Sequence, residues 1–249
     1  MTFLRLVGAA VLALLLIVNV VATAPARLLS RVVPGDQLVM RGLSGTVWDG
    51  SASGVLLRLP QGYLQLGAVQ WSLHPMSLLV LAPRLTVHSE WGNQTLEGEL
   101  VLRGQRDLDV LNMEGNVAAS LLSHFAPVAI SGMFNLQLEQ LQLRDGLPYS
   151  TQGRLVWQEG SWRSPRGPVA LGSYAMDIAQ SPGEMLKGKV ITLSGPLEAD
   201  GELQLQQRHY QLDIALSSEG AMDEQLQQML SLIAVPEGAG FRMALKGDF

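Results

Sequence analysis

The stretch that decides the fold class is "MFNLQLEQLQLRDG", Met133–Gly146. Phe134, Leu136 and Leu138 alternate with polar residues, which is the period of a β-strand with one apolar face and one hydrated face. Near Gln140 the apolar positions shift by one residue, and this shift predicts a β-bulge, which would bend the strand. The sequence therefore predicts a half-buried, bent strand at this position.

The same alternation, broken by glycine, continues through most of the chain from residue 37 onward. In residues 201–220, "GELQLQQRHYQLDIALSSEG", it occurs twice around a tight reversal and predicts a hairpin. Further strands are predicted at Val55–Leu59, Tyr63–Leu73, Arg84–Trp91, Gln94–Arg103, Gly153–Gln158, Val169–Ala179, Leu186–Leu193 and residues 240–249. Two segments favour helices, 116–127 ("NVAASLLSHFAP") and 221–238 ("AMDEQLQQMLSLIAVPEG"), because proline follows the apolar positions in each.

These elements predict a mainly-β protein. Residues 37–249 contain no linker of the serine, glycine or proline kind, so we expect a single extended, curved antiparallel β-domain with two short peripheral helices. Strands that are apolar on one face need a cover, either a second sheet, a helix or closure into a half-barrel. Alternation does not distinguish a filled core from an open groove.

The N-terminus carries an uncharged run from residue 6 to residue 26. As a helix, its roughly 21 residues would extend roughly 32 Å, close to the thickness of the hydrocarbon layer of a bilayer. We favour a retained transmembrane helix over a cleaved signal peptide, because the run is longer than a signal-peptide core and Pro25 would follow the cleavage site. The expected arrangement is a cytoplasmic tail at 1–5, the helix at 6–26, a linker at 27–36 and an exported domain at 37–249.

Composition excludes several classes of function. The chain has 17 Lys and Arg against 22 Asp and Glu, so it lacks the basic surface of a nucleic-acid binder. It has no cysteine, so disulfides, thiolate catalysis and Cys-ligated metals are excluded, although this absence does not identify a cellular compartment.

The search for catalytic and binding motifs favours a protein that is not an enzyme and has no catalytic, cofactor or metal site. The histidines 74, 88, 124 and 209 lack metal-ligand spacing, and "DGSASG" (49–54) lacks the glycines of a nucleophile turn. Asp107 and Asp109 lack the rest of a calcium loop and predict a charged turn. A glycosylation sequon at 93–95 is discounted, and no nucleotide-binding glycine motif occurs.

The tryptophans and one asparagine are the remaining candidates for recognition. Trp48, Trp71, Trp157 and Trp162 lie on or beside predicted strands, where an indole buries its ring and points its N–H at a carbonyl. They are interpreted as packing residues, with a protein-binding hot spot as the alternative. Asn19 lies within the predicted membrane helix, either near its outer end without a role or in a hydrogen bond to a partner helix.

The most unusual local motif is "GTVWDG", Gly45–Gly50, which we expect to form a short strand with a sharp start and end at its glycines and with Trp48 capping the sheet. The motif is followed by "GRLVW" at 153–157, "LGSY" at 171–174, and "GPL" at 195–197 leading into "GEL" at 201–203. A helix, a glycine-rich turn and a final strand complete the order. This ordered set resembles the type II secretion system protein N family; the C-terminal turn "LIAVPEGAGF" departs from the family pattern and leaves the end of the last helix open.

The resemblance implies a single-pass protein of the bacterial inner membrane with a periplasmic domain. Such a protein supports the machinery that exports folded proteins across the outer membrane, and its partners are other secretion-system components. Exposed sheet edges would add a partner's strand, and the N-terminal helix would contact the bilayer. The main alternative is a periplasmic lipid-binding or lipid-transfer protein of the AsmA type, with an apolar β-groove. A cell-wall hydrolase lacks the required paired acids or metal cluster.

Overall fold

The computed structural model describes residues 12, 15–16, 19–29, 38–59, 62–124, 129–164, 166–218, 220 and 222–248. Almost all regular structure in these residues is antiparallel β-sheet, so the predicted mainly-β class is confirmed. The chain divides into two compact units, Met1–Trp91 and Gly92–Phe249. That residues 37–249 form a single curved domain stays a prediction.

The first unit is a small antiparallel sheet. Its strands are β1 (Leu38–Arg41), β2 (Ser44–Gly45), β3 (Asp49–Leu59), β4 (Gly62–Leu73) and β5 (Arg84–Trp91). The order is β1-β3-β4-β5, with β2 also paired to β3. Two short 3₁₀ helices, Ala26–Leu28 and Pro75–Val80, precede β1 and β5. The three strands predicted between residues 55 and 91 are all present.

The second unit is a meander of hairpins with one helix inserted near its end. Its elements are β6 (Gln94–Leu102), β7 (Leu108–Ala118), a 3₁₀ helix (Ala119–His124), β8 (Ile130–Arg144), β9 (Leu147–Ser164), β10 (Gly167–Gln180), β11 (Leu186–Ser194), β12 (Leu197–Gln206), β13 (His209–Ser218), α1 (Glu224–Ile233), β14 (Val235–Glu237) and β15 (Gly240–Asp248). Strands β6 to β13 pair in sequence order, and β15 then lies between β13 and β14.

The stretch that predicted the fold forms β8 and the turn after it. Asp145 and Gly146 both have positive φ, 52° and 78°, and Arg144 pairs with Leu147, which is the pattern of a two-residue type I′ hairpin. The predicted bulge is confirmed, because Leu138 pairs with Gly153 whereas Gln140 pairs with Gln152, so the register shifts across Glu139. The predicted hairpin is confirmed as well, by the pairing of Gln206 with His209 across β12 and β13.

The helix predicted at 116–127 is wrong over its first residues. Residues 116–118 end strand β7, Ala119–His124 form a 3₁₀ helix, and 125–127 lie outside the described residues. Strand β7 escaped prediction because its apolar alternation breaks in the middle. Asn112 has a positive φ of 46°, and the pairing with β6 shifts register between Glu97 and Glu99.

The second predicted helix is confirmed and shorter than its pattern. Asp223 is the N-cap of α1, where its carboxylate accepts hydrogen bonds from the backbone N–H groups of Gln225 and Leu226. The helix ends before Ala234, and Val235–Glu237 continue as strand β14, which resolves the end left open by the sequence. Residues 19–22 are helical too; among the described residues, no helix is both long and apolar enough to cross a membrane.

One predicted turn residue belongs to the core of the second unit. Asp107 lies in the turn before β7, where its carboxylate accepts the backbone N–H of Asp145. Asp109, predicted to share that turn, instead lies on β7 with 2% of its surface exposed. Its two carboxylate oxygens each lie 2.6 Å from a guanidinium nitrogen, one of Arg103 and one of Arg144. Asp109 is buried because it lies on a strand, and its ion pairs with the two arginines offset the cost of burying its charge.

The pKa of the Asp109 carboxyl reflects two opposing causes. Burial by itself raises the pKa, but the hydrogen bonds and charges of Arg103 and Arg144 outweigh burial and lower it below the ordinary value. A carboxyl whose pKa is lower in the folded state than in the unfolded state stabilises the fold at pH values above the unfolded pKa. That contribution is lost as pH falls through the folded pKa.

We expect Asp109→Asn to destabilise the second unit at pH 7 by about 2 kcal/mol, less than a fully buried pair costs, because Arg103 is 52% exposed and is hydrated once its partner is removed. Thermal unfolding of the wild-type chain and the variant from pH 7 to pH 3 measures the difference. It should shrink below about pH 4, where the unfolded carboxyl becomes protonated.

The matched control is Asp177→Asn, which makes the same change in an exposed ion pair with Arg154 on β9 and β10, with side chains 45% and 49% exposed. Its effect on the melting temperature should be much smaller because the pair is solvated. Equal effects of the two variants, or a difference for Asp109→Asn that does not change with pH, would contradict the role assigned to Asp109.

Candidate functional site

The GTVWDG motif of the first unit binds the end of the N-terminal helical segment. The indole Nε1 of Trp48 donates to the carbonyl oxygen of Val21 at 2.8 Å, and the backbone N–H of Val47 donates to the carbonyl oxygen of Ala24 at 2.9 Å. Pro25 and Thr46 form an isolated antiparallel bridge. We call this contact between residues 21–25 and 46–48 the N-terminal junction. It fixes the point at which the helical segment enters the sheet.

A tight turn holds the motif in the shape that the junction needs. Thr46 donates its backbone N–H to the carbonyl of Asp49 at 2.8 Å, and its hydroxyl accepts the backbone N–H of Asp49 at 3.0 Å. Gly45 has a φ of 78°, a conformation that residues with a Cβ resist, so the predicted sharp start of the motif is confirmed. The short strand predicted between the two glycines is wrong, because Gly45 ends β2, residues 46–48 form the turn and Asp49 begins β3. The turn leaves the carbonyl of Val47 free to accept the indole N–H of Trp71 at 3.1 Å.

The role predicted for Trp48 is shared with a second tryptophan. A Cβ on Gly50 would lie 2.4 Å from Cζ2 of Trp71 and 2.6 Å from the carbonyl oxygen of Thr46. Trp71, which is 9% exposed, therefore fills the space beside the second glycine of the motif, whereas Trp48 reaches outward to Val21. Sequence reasoning missed the pairing of Gly50 with Trp71 because the two residues lie on different strands.

The core of the first unit contains residues from both sides of the junction. Ala26 is 1% exposed, as is Ala52 on β3, and Val55 and Trp71 complete the buried cluster. Leu29 packs against this cluster as well. The chain segment that follows the N-terminal helix is therefore part of the sheet's apolar packing.

We expect Gly50→Ala to destabilise the first unit by about 2 kcal/mol, because the new methyl group overlaps Trp71 and the backbone of Thr46. Gly54→Ala is the control on the same strand: its Cβ meets nothing within 4 Å, so its effect should stay within about 0.5 kcal/mol. Thermal unfolding followed by tryptophan fluorescence measures both. A Gly54→Ala variant as unstable as Gly50→Ala would show that the loss reflects any alanine on β3 rather than the contact with Trp71.

The second unit contains a separate feature, an apolar cavity of about 360 Å³ between the sheet and α1. Its lining is apolar and aromatic: Ile130, Phe134, Leu155, Trp157, Leu171, Tyr174, Ala175, Met176, Val190, Leu197, Ala199, Ile214, Leu216, Leu226, Met229, Leu230, Ile233 and Met243. Sequence alternation predicted the apolar face but did not decide whether it was filled. The structure shows a space that the side chains leave unfilled.

The polar groups of the cavity's aromatic residues are already occupied. The Tyr174 hydroxyl lies 2.8 Å from the carbonyl oxygens of both Leu171 and Leu197, and the indole N–H of Trp157 donates to the carbonyl of Ser131 at 3.1 Å. Burial raises the pKa of Tyr174 to about 12, so this hydroxyl stays neutral at physiological pH. The cavity therefore presents hydrocarbon and aromatic faces to whatever enters it.

Helix α1 forms one wall of the cavity. Leu226 and Leu230 are buried against the sheet, and Met229 and Ile233 line the cavity on the same side. Leu232, on the far side of the helix, is 82% exposed. The helix is thus amphipathic. The prediction that it is peripheral is wrong, because Leu226 and Leu230 belong to the buried core of the second unit, and among the covers left open by the sequence the structure uses this helix.

Two of the residues considered for catalysis or metal binding, Ser53 and His209, make contacts within the sheet. Among the described residues, no group of three or more His, Asp and Glu could hold a metal ion. Nδ1 of His209 lies 3.0 Å from a carboxylate oxygen of Asp248, and the hydroxyl of Ser53 donates to the carbonyl of Arg41. The predicted indole-to-carbonyl bonds are confirmed for three tryptophans, 48, 71 and 157. Trp162 packs against the core of the second unit.

Comparison with known proteins identifies the family. A family model described as "Type II secretion system (T2SS), protein N" matches residues 36–244. The chain belongs to this family. The type II secretion system protein N of Vibrio cholerae serotype O1 (strain ATCC 39315 / El Tor Inaba N16961) is 30% identical over 235 residues, which cover 90% of each chain. No solved structure matches.

Membership of the type II secretion system protein N family confirms the resemblance drawn from the ordered motifs. The match begins before β1 and ends within β15, so it includes the GTVWDG motif, the cavity and α1. The chain is a component of type II protein secretion. In this chain the GTVWDG motif hydrogen-bonds the carbonyl oxygens of Val21 and Ala24 in the N-terminal segment.

Proposed function

We propose that the chain is a single-pass inner-membrane protein that supports the export of folded proteins across the outer membrane without catalysing a reaction. Residues 1–5 lie in the cytoplasm, and residues 37–249 lie in the periplasm. Of the predicted membrane segment 6–26, the helical part crosses the membrane, whereas Ala24 to Ala26 contact the first sheet, and residues 27–36 form the link to β1. Other components of the secretion machinery are its partners. The match to the family over residues 36–244 is the observation that carries the assignment to this pathway.

Exposed apolar residues and the N-terminal junction support the membrane-bound arrangement. Leu12, Leu15, Leu16 and Val20 are 60–67% exposed in the N-terminal segment, and the uncharged run continues to Ala26. Hydrocarbon favours such side chains and water does not. The junction then joins the end of this segment to the turn before β3 through backbone and indole hydrogen bonds, which hold the segment against the first sheet.

A role in recognition is supported by the placement of the charged side chains. Asp109, the buried carboxylate, is held by Arg103 and Arg144. The exposed pair of Arg154 and Asp177 likewise links neighbouring strands. Both carboxylates are paired with arginine side chains of neighbouring strands. In contrast, Asn19 presents an exposed side chain on the helical segment, where it is suited to hydrogen-bond a partner helix.

We expect deletion of the gene to trap secreted proteins in the periplasm and to leave envelope lipids unchanged, and the full chain to restore secretion. Topology is tested in the same strain, because the chain has no cysteine and accepts a single engineered one. Tyr63→Cys, at a side chain 56% exposed, should react with a membrane-impermeant maleimide once the outer membrane is permeabilised.

The control is the same cysteine labelled after the inner membrane is disrupted, which gives the full extent of reaction. Labelling of Tyr63→Cys only after that disruption would place the sheet in the cytoplasm and overturn the proposed topology. Normal secretion in the deletion strain would instead overturn the support role and leave topology untouched. Photocrosslinking from Asn19 in intact cells then identifies the partners.

A second role, binding of an apolar chain, is favoured by one observation, the cavity beside α1. Its volume of about 360 Å³ lies within the usual range for small-molecule sites, and an engineered apolar cavity of about 150 Å³ binds benzene. Neither the family match nor the relative supports the AsmA-type alternative, so this role is proposed as an addition to the secretion assignment. It is compatible with a secretion component that takes up an acyl chain.

We expect a photoactivatable fatty acid, added to membranes containing the full chain, to crosslink to cavity residues such as Met229 and Ile233. Ala199→Leu, at a buried position on the cavity wall, should reduce this crosslinking several-fold by occupying the space. Ala215→Leu is the control, because Ala215 is exposed on neighbouring strand β13 outside the lining. Crosslinks that map elsewhere, or that Ala199→Leu leaves unchanged, would show that no acyl chain occupies the cavity.

A further inference from the structure

The loop between β4 and β5 exposes a cluster of large apolar side chains. Met76, Leu79, Val80 and Leu81 are 74%, 74%, 73% and 86% exposed, and they lie within six consecutive residues. Single exposed apolar residues are ordinary on a protein surface, but a contiguous group marks a surface that contacts another apolar phase. We call Pro75–Leu81 the apolar loop.

The apolar loop pairs its own main-chain polar groups. The backbone N–H of Ser77 donates to His74, that of Leu81 to Leu78 and that of Ala82 to Ser77, at 3.0–3.2 Å. The hydroxyl of Ser77 accepts the backbone N–H of Arg84 at 2.8 Å. The 3₁₀ helix at Pro75–Val80 and these bonds pair several main-chain groups of the loop while its side chains turn outward, and such pairing lowers the cost of entering a hydrocarbon environment.

Leu81 ends the 3₁₀ helix of the apolar loop as its C-cap. Its φ of 54° is the left-handed conformation usual at a helix end, and its N–H donates to the carbonyl of Leu78. This cap turns an apolar side chain, 86% exposed, outward from the loop. The charge pattern agrees, because the sequence from Leu59 to Pro83 contains no Asp, Glu, Lys or Arg.

The apolar loop begins at the same end of the sheet as the N-terminal junction. The backbone N–H of Leu73 donates to the carbonyl oxygen of Trp48 at 2.6 Å, and the indole of Trp48 donates to Val21. Two hydrogen bonds through one residue therefore connect the strand that enters the loop to the end of the N-terminal helical segment. The segment and the loop are therefore both connected to the sheet beside Trp48.

We infer that the apolar loop inserts into the membrane beside the N-terminal helix, as a second point of attachment to the same bilayer. The inference rests on the proposed function, because it requires residues 6–26 to cross the membrane. The occupant of the patch is lipid, since the loop is uncharged, part of its backbone is paired internally and it begins beside Trp48, where a segment suited to hydrocarbon joins the sheet. The first unit is thereby held at a fixed tilt to the membrane surface.

The test places an environment-sensitive fluorophore, NBD, on single cysteines in the full chain. The chain is reconstituted in phosphatidylethanolamine and phosphatidylglycerol vesicles with or without a lipid-attached doxyl quencher. Leu79→Cys reports on the apolar loop, and Leu16→Cys reports on the N-terminal helix. Tyr63→Cys is the matched water-exposed control, because it lies near the other end of β4, about 30 Å along the strand from Leu73.

We expect the labels at Leu79 and Leu16 to emit at shorter wavelength and to be quenched by doxyl lipid several-fold more than the label at Tyr63. Met76→Cys provides a second probe of the loop if the Leu79 variant is unstable. A label at Leu79 or Met76 that behaves as in water while the Leu16 label is in lipid overturns the inference and leaves the membrane helix intact.

Labels in water at both Leu79 and Leu16 would instead overturn the proposed topology itself. A loop label that stays in water in pure vesicles, and is shielded only when other secretion components are added, would assign the patch to a protein partner and would also overturn the inference.

Discussion

Each sheet in this protein depends on covering one apolar face. Alternating sequences pair readily into antiparallel strands, but the resulting sheet gains most of its stability only when its apolar face is removed from water. The two units meet this constraint differently. The first unit covers its face with residues from the N-terminal segment, including Ala26 and Leu29, whereas the second unit uses α1. The N-terminal junction lies at the start of the first cover, and the apolar cavity lies beside the second cover, α1.

In the first unit, the cover explains why a secretion component carries the GTVWDG motif. Ala26 can be buried only if the segment before it leaves the helix at a fixed place and direction. Val47 and Trp48 set that place by donating hydrogen bonds to the segment. The backbone N–H of Val47 donates to the carbonyl of Ala24, and the indole N–H of Trp48 donates to the carbonyl of Val21. Gly50 then admits Trp71 beneath the turn. The motif therefore has a structural role, which its hydrogen bonds and packing explain without a reactive group.

The features that the sequence predicts depend on residues close together in the chain, and the features that it misses depend on contacts between distant residues. The alternation of Phe134, Leu136 and Leu138 and the shift near Gln140 are local, so the sequence predicted β8 and its bulge, and in the same way it predicted the hairpin of β12 and β13. Strand β7 was missed because Asn112 breaks its alternation, and the burial of Asp109 was missed with it. The contact of Gly50 with Trp71 and the unfilled space beside α1 depend on how strands from distant parts of the chain pack, which no local pattern encodes.

The apolar loop follows from the same constraint applied to a surface that the chain leaves uncovered. Residues such as Leu79 and Leu81 would be buried if the fold supplied a cover, and the loop's paired backbone would permit it. Instead, the loop lies at the end of the sheet where the helical segment joins, and in the arrangement that we propose the bilayer supplies the cover at that position. A helix alone fixes the height of a domain above a membrane but leaves it free to rotate about the helix axis. A second apolar contact beside the helix removes that freedom, and the rigid junction at Trp48 makes the constraint effective for the whole first sheet.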